Sequence, residues 1–313
     1  MINPADGGPE PGAALPTHFA LDTPALARSF DRAGAGYDAA AQLQQRVRAE
    51  LLGRLQFFAL EPHTILDLGA GTCHGALELR RRYARARIIA LDIAPGMLKA
   101  APRLLWPRRR FERVCADAYA LPLASRSIDL VFSNLMLQWC DRPGLVFREL
   151  ARVLKPGALL VFSSFGPDTL MELRRAWESA DDAMHVSQFP DMAQLGAALM
   201  HAGLAEPVLD VEPQRMFYPD VHALMRELKR IGARNAASGR RRTLTGRGRL
   251  QHMLAAYETQ RTAAGLPATF EVIFGAAFGA AAPHGAAPGD GHGDPAAAAG
   301  YSVPLAALGR SRR

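Results

Sequence analysis

Five strand-length segments, separated from one another by longer connections, constrain this chain more than any other feature. They are the apolar runs 64–68, 87–92, 128–134 and 158–165, and a strand expected to end at Cys115. Strands of this length alternating with helices build βαβ units, and hence a parallel sheet covered on both faces. Residues 39–58 have helical spacing, with Leu43, Val47, Leu51, Leu52 and Leu55 on one stripe. Further helices are expected from the glycine turn at 69–75 to Tyr83, from Pro95, and from Pro143 to a stop at "KPG" (155–157). The C-terminal third adds helices near 168–180, 191–202, 220–231 and 248–264, with strands near 208–217 and 269–278.

The chain has 313 residues, 49% of them hydrophobic, enough for one large domain or two modest ones. Residues 1–23 read as a loose Pro-, Gly- and Ala-rich leader, and residues 279–313 as a disordered tail of Ala, Gly, Pro and His. His284, Asp290, His292 and Asp294 in that tail are read as solvated, and no metal site is expected. No apolar run reaches membrane-spanning length. The N-terminus lacks signal-peptide order, so a cytoplasmic location is the expectation. Cys73, Cys115 and Cys140 form no C-x-x-C pair and are each read as small buried apolar residues. The net charge of +7 comes almost wholly from Arg, with Lys only at Lys99, Lys155 and Lys229.

A sheet of this kind binds its ligand at the carboxyl ends of the strands. The first turn there, "ILDLGAGTCHG" (65–75), has Gly69 and Gly71 where a dinucleotide fingerprint places them, but His74 where it requires a third glycine. Asp67 precedes the turn; its carboxylate would repel a pyrophosphate but suits an amino group or a cation. S-adenosylmethionine carries a sulfonium, an amine and a carboxylate and no phosphate, and D-x-G-x-G fits it. Asp92, ending the second strand, is placed to accept from both ribose hydroxyls. Asp117, ending the third, is placed to accept from the adenine amino group, and Asn134 ends the fourth. Ile93, Met97 and Ala118, beside these acids, complete the expected cofactor wall.

These residues, with "LPLASRSIDLVFSN" and "ELARVLKPGALLVFSSF", resemble the class I S-adenosylmethionine-dependent methyltransferases. That resemblance implies an α/β, Rossmann-like fold: a seven-stranded, mostly parallel sheet, its last strand antiparallel, with helices on both faces and a helical insertion in the C-terminal half. A narrower resemblance covers roughly 28–278. "FDRAGAGYDAAAQLQ" (30–44), "SNLMLQWC" (133–140), "LKRIGARN" (228–235) and "LTGRGRL" (244–250) are similar to the biotin-pathway malonyl-[acyl-carrier protein] O-methyltransferases. That family esterifies the free carboxylate of a malonyl thioester on acyl-carrier protein, priming synthesis of a pimeloyl precursor. The resemblance divides 24–278 into lid helices (24–60), a cofactor-binding half (61–166) and a substrate and carrier-protein half (167–278). The family's turn usually carries a glycine where Cys73 stands, and because Cys has a Cβ, a left-handed φ is not expected at 73.

A malonyl carboxylate is ionised at pH 7, so the reaction needs no general base. It needs oxygen, methyl and sulfur in line, which is a matter of orientation. Tyr37, Gln138 and Trp139 are the expected residues at the reacting atoms, and Gln44 and Arg174 the expected holders of the substrate carboxylate. The basic stretch 226–249, including Lys229, Arg230, Arg240, Arg241 and Arg242, is the expected docking face for an acidic carrier protein, the alternative being a solvated helix and loop. No aromatic residues interleave with these charges, which argues against nucleic acid. Two rivals stay open. "FGPDTLMELR" (165–174) is shared in style with a mitochondrial complex I assembly factor that hydroxylates an arginine, and a non-catalytic cofactor-binding scaffold would carry the same turn.

Overall fold

Seven strands form one sheet in the computed structural model, which describes residues 21–102, 111–233, 235 and 246–280. The N-terminal segment holds α1 (Thr23–Ala33), a short α2 (Tyr37–Ala40) and α3 (Gln42–Arg54). Then follow β1 (Thr64–Leu68), α4 (His74–Arg82), β2 (Arg87–Asp92), α5 (Pro95–Ala100), β3 (Phe111–Cys115), β4 (Ile128–Asn134), α6 (Pro143–Val153) and β5 (Leu154–Phe165). The C-terminal part is α7 (Met171–Glu178), α8 (Met192–His201), β6 (Leu204–Tyr218), α9 (Val221–Arg230), α10 (Arg247–Glu258) and β7 (Leu266–Gly279). The sheet order is β3-β2-β1-β4-β5-β7-β6, with β1 to β5 parallel and β7 antiparallel to both neighbours. The expected seven strands with the last one reversed are therefore present.

Alternation along the strands divides the core between the two faces of the sheet. Ile65, Ile88, Ala90, Leu130, Phe132, Leu159 and Val161 pack with Leu43, Val47 and Leu51 of α3 and with Ala76 and Leu79 of α4. Leu66, Leu68, Ile89, Leu91, Val131, Leu160 and Phe162 pack with Phe147 and Leu150 of α6 and with Leu195 and Leu199 of α8. Each such Leu or Phe, fully buried, contributes about 1.5–3 kcal/mol. The side-chain cap of α8 is a complete capping box, Asp191 with Gln194.

Several boundaries differ from the sequence expectation, each for a local reason. The expected helix 39–58 breaks at Ala41, whose ψ of 44° leaves the helical region, and Leu52 is only partly buried. At "KPG" the helix does stop, but β5 begins at once from Leu154, and a register shift between Ile128 and Leu130 absorbs the Gly157 turn at φ +72°. Helix α10 ends at Glu258 because residues 262–265 form a tight bridge that turns the chain into β7. Cys73 and Cys140 are buried as expected, but Cys115, at the end of the thinly covered edge strand β3, is exposed. Among the described residues no helix is long and apolar enough to cross a membrane. The leader to residue 20, the tail from 281, and Arg234, Arg240, Arg241 and Arg242 lie outside the described residues.

Candidate active site

The turn after β1 takes its shape from three left-handed residues. Gly69 (φ +72°), Gly71 (φ +52°) and Cys73 (φ +63°) carry the chain over the sheet edge into α4. A Cβ on Gly69 would run into the Met136 side chain, whereas at Gly71 it would meet nothing within 4 Å, because that residue borders open space. The expectation for Cys73 is overturned: it is left-handed despite its Cβ. Its amide donates to Ala70 O at 2.7 Å, its carbonyl accepts from Leu77 N at 3.1 Å, and its side chain is fully buried. Those contacts offset a backbone cost of about 1–2 kcal/mol.

Above this turn lies a cavity of about 590 Å³, whose first half is built from strand ends. Gly69, Gly71, Asp92, Ile93, Met97, Asp117, Ala118 and Asn134 all line it. Asp92 is held by two amides, Oδ2 accepting from Gly71 N and Oδ1 from Ala94 N, both at 2.8 Å. Desolvation raises its carboxyl above the ordinary range, against the pull of those amides. Asp117 sits two residues beyond the end of β3, and its Oδ1 accepts from Tyr119 N at 3.0 Å. Asn134 joins three elements: Nδ2 donates to Gln44 O at 3.2 Å, and Oδ1 accepts from Ser163 Oγ at 3.0 Å.

Asp67 is set back from this wall. It shares strand parity with Ile65, so its side chain points under α4, into a small recess with Arg48, Thr72, His74 and Gly75. Burial pushes its carboxyl up to about 7, opposed by the Ala76 amide and the Arg48 charge. Its Oδ2 has no hydrogen-bond partner.

The N-terminal helices roof the cavity. Tyr37 and Gln44 line it from α2 and α3, and Thr23, Leu26 and Phe30 line it from α1. The Phe30 ring meets Trp139 edge-on at 5.2 Å. Asp38 latches the roof to the glycine turn: Thr72 Oγ1 donates to it at 2.6 Å, and His74 Nε2 lies 3.2 Å from its other oxygen. Thus the residue that breaks the dinucleotide fingerprint fastens the roof to the turn. Burial, followed by the charges of Asp92 and Asp38, raises the Tyr37 phenol, which stays protonated. Gln138 is buried in the wall; its Nε2 donates to Leu135 O, and its Oε1 has no partner.

The second half of the cavity is apolar and was not anticipated from the sequence. Phe165, Leu170, Leu173, Trp177, Phe189 and Phe270 wall it, with His185 and Val186 from the loop after α7. Leu170, Leu173 and Trp177 recur at helical spacing into α7, but Phe165, Phe189 and Phe270 stand far apart in sequence. Contacts between segments bring them together: Thr269 N donates to Glu172 Oε2 at 2.9 Å, Leu170 N to Thr269 O at 2.6 Å and Asp168 N to Glu271 Oε2 at 2.7 Å.

Arg174 does not line the cavity. Its Nη1 donates to Pro167 O at 2.8 Å and its Nη2 to Thr169 O at 3.0 Å, so the guanidinium clamps the 165–170 loop. A helix position four residues past that loop points back to it, and this is why "FGPDTLMELR" ends in Arg. Lys229 lines the cavity from the last turn of α9, and the adjacent Arg230 is exposed and outside the wall.

A seven-stranded sheet with one reversed strand, a glycine turn after β1 and acids at the next two strand ends define a class I S-adenosylmethionine-dependent methyltransferase. A family model described as "Methyltransferase domain" matches residues 66–162. A solved structure from Bacillus halodurans superposes with a TM-score of 0.54 at 16% identity, covering 74% of this chain and 100% of that one. It supports the fold alone. The malonyl-[acyl-carrier protein] O-methyltransferase of Methylovorus sp. is 50% identical over 266 residues, 83% of this chain and 90% of that protein. The biotin biosynthesis bifunctional protein of Cellvibrio japonicus is 42% identical over 255 residues, 82% of this chain and 50% of that longer protein. The chain belongs to the malonyl-[acyl-carrier protein] O-methyltransferase family.

Proposed function

We propose that this protein methylates the free carboxylate of a malonyl thioester on acyl-carrier protein, yielding the methyl ester that enters biotin synthesis and S-adenosylhomocysteine. The observation that carries this reading is the continuity of the cavity, from polar strand ends into an apolar chamber under one roof. The names of its relatives supply the substrate class.

The polar half fits S-adenosylmethionine. A buried acceptor without a partner, Gln138 Oε1, borders this half and matches a ligand bearing a cationic amine and a sulfonium. Asp92, its remaining lone pairs free of the two amides, would take the ribose hydroxyls, and Asp117 the adenine amino group, with Ile93, Met97 and Ala118 against the purine. Gly69 and Gly71 let the backbone approach the amino-acid end. When bound, the cofactor supplies an electrophilic methyl group.

The protein's own task is positioning. Trp139 and Phe30 close the roof over the reacting atoms and exclude water. The Tyr37 phenol stays protonated and caps the reacting atoms from the roof. Gln138 and Gln44 border the junction of the two halves. No group needs to remove a proton. The exposed Lys229 and Arg230, with the basic stretch that continues in sequence to Arg240, Arg241 and Arg242, would receive the acidic carrier protein.

The test is transfer of labelled methyl from S-adenosylmethionine to malonyl-carrier protein, read as a base-labile ester. Cofactor binding without transfer contradicts the reading. In the same assay KM for malonyl-carrier protein should rise with ionic strength, while KM for malonyl-pantetheine should not. Equal salt dependence would remove the docking role from the basic stretch.

A further inference from the structure

The chamber must receive a carboxylate, yet its walls are apolar, so the donor that holds the anion can be sought by elimination. Thr169 is committed: its hydroxyl donates to Glu271 O and accepts from Glu271 N, both at 3.2 Å. Gln138 gives one amide hydrogen to Leu135 O, and its unpartnered Oε1 can only accept. Asn235 Nδ2 donates to Met184 O at 2.7 Å. Tyr37 feels two carboxylates, Asp92 and Asp38. Lys229 is exposed, Ser187 carries no charge, and Arg174 does not line the chamber, its two terminal nitrogens going to Pro167 O and Thr169 O and its Nε staying buried behind the wall.

His185 differs from all of these. Its ring stacks on Trp177, with centroids 3.7 Å apart and planes 7° from parallel. Its Nε2 lies 2.7 Å from Asp181 Oδ1, and the side chain is only 12% exposed. A carboxylate can only accept, so the hydrogen of this bond is on Nε2. No hydrogen bond joins Nδ1 to the described residues, and the side chain lines the chamber. Asp181 also receives the Ala183 amide at 3.1 Å, and Arg249 Nε lies 3.7 Å away. Although desolvation opposes it, the bonds from His185 and Ala183 hold the Asp181 carboxyl below its usual range.

We propose that His185, fixed by Asp181 and stacked on Trp177, is the donor that grips the non-reacting oxygen of the substrate carboxylate, an assignment that rests on the carboxyl-methylation reading. Nε2 donates to Asp181, and the grip requires a second ring hydrogen, on Nδ1, directed into the chamber. An acyl thioester without a terminal carboxylate gets no such grip, so the same contact selects for a dicarboxylic arm.

The two ring nitrogens can be replaced separately. In His185→Gln the amide stands near the Nε2 position and keeps the Asp181 bond; in His185→Asn it stands near Nδ1 and keeps the donor into the chamber. The proposal expects His185→Gln to raise KM for malonyl-carrier protein about tenfold to a hundredfold, with S-adenosylhomocysteine affinity by calorimetry unchanged. His185→Asn should recover most of that loss. Wild-type KM in both variants, or equal losses in both, would overturn the assignment. If loss of S-adenosylhomocysteine binding shows that both variants misfold, Asp181→Asn keeps the ring and its stack; a raised KM then supports the proposal and an unchanged KM overturns it. An inactive wild-type protein would instead overturn the reaction class and not this residue.

Discussion

The two ends of the cavity are built by different means. The polar end is local: parallel strands in register bring Asp92, Asp117 and Asn134 to one edge, each a short step from a glycine or a strand terminus. The apolar end is assembled from pieces as far apart as Phe165 and Phe270, tied by Glu172, Thr269 and Glu271. The proposed cofactor end follows from sheet geometry, while the proposed substrate end depends on long-range packing around one histidine. The lesson is that a single site can have one end encoded by strand pattern and another by tertiary contacts.

The largest expected effect lies at the polar end. Asp92→Ala removes the acceptor for Gly71 and Ala94 and the proposed ribose contact together. Cofactor affinity by calorimetry should fall tenfold or more, since a buried acceptor is lost. Unchanged affinity would mean that the strand ends do not hold the nucleoside, and the comparison would collapse.

An intermediate effect separates Asp67 from the other acids. Its carboxyl is raised to about 7 from an ordinary value near 3.8, so the folded protein holds a proton that the unfolded chain releases. Stability of the cofactor-free protein should therefore decline as pH rises from about 4 to about 7. Asp67→Asn should be more stable than wild type at pH 8, by an amount on the order of a few kcal/mol, and lose that advantage near pH 4. Parallel denaturation curves at both pH values would show that Asp67 is already compensated.

The smallest expected effect is at Cys73. Cys73→Gly relieves the left-handed backbone but empties a buried position, and the two changes offset each other to within about 1 kcal/mol. Cys73→Val, β-branched at the same φ, should be clearly less stable in thermal melts. Equal Tm values for Gly and Val would show that the turn adjusts its φ freely.

Much of this arrangement was legible in the sequence because it repeats at short range. Apolar runs closed by polar ends announced the sheet, and its switch edge located Asp92, Asp117 and Asn134. Asp67 was legible as part of the motif but not in its direction, because period-2 parity turns it under α4. Cys73 was misread because a Cβ is only a cost of about 1–2 kcal/mol, which two backbone hydrogen bonds and full burial outweigh. Arg174 looked like an anion holder, but it stands off the cavity wall, and the loop carbonyls next to it in sequence take both of its terminal nitrogens. His185 left no trace, since stacking on Trp177 and pairing with Asp181 follow from a loop conformation that no motif marks.

The central claim is that one cavity holds the cofactor at its polar end and the malonyl group at its apolar end. A crystal structure with S-adenosylhomocysteine and a malonyl-pantetheine thioester tests it most directly. The account predicts the nucleoside against Asp92 and Asp117 and the malonyl carboxylate between Trp139 and His185; a carboxylate bound outside the chamber walled by Trp177 and Phe189 would contradict it.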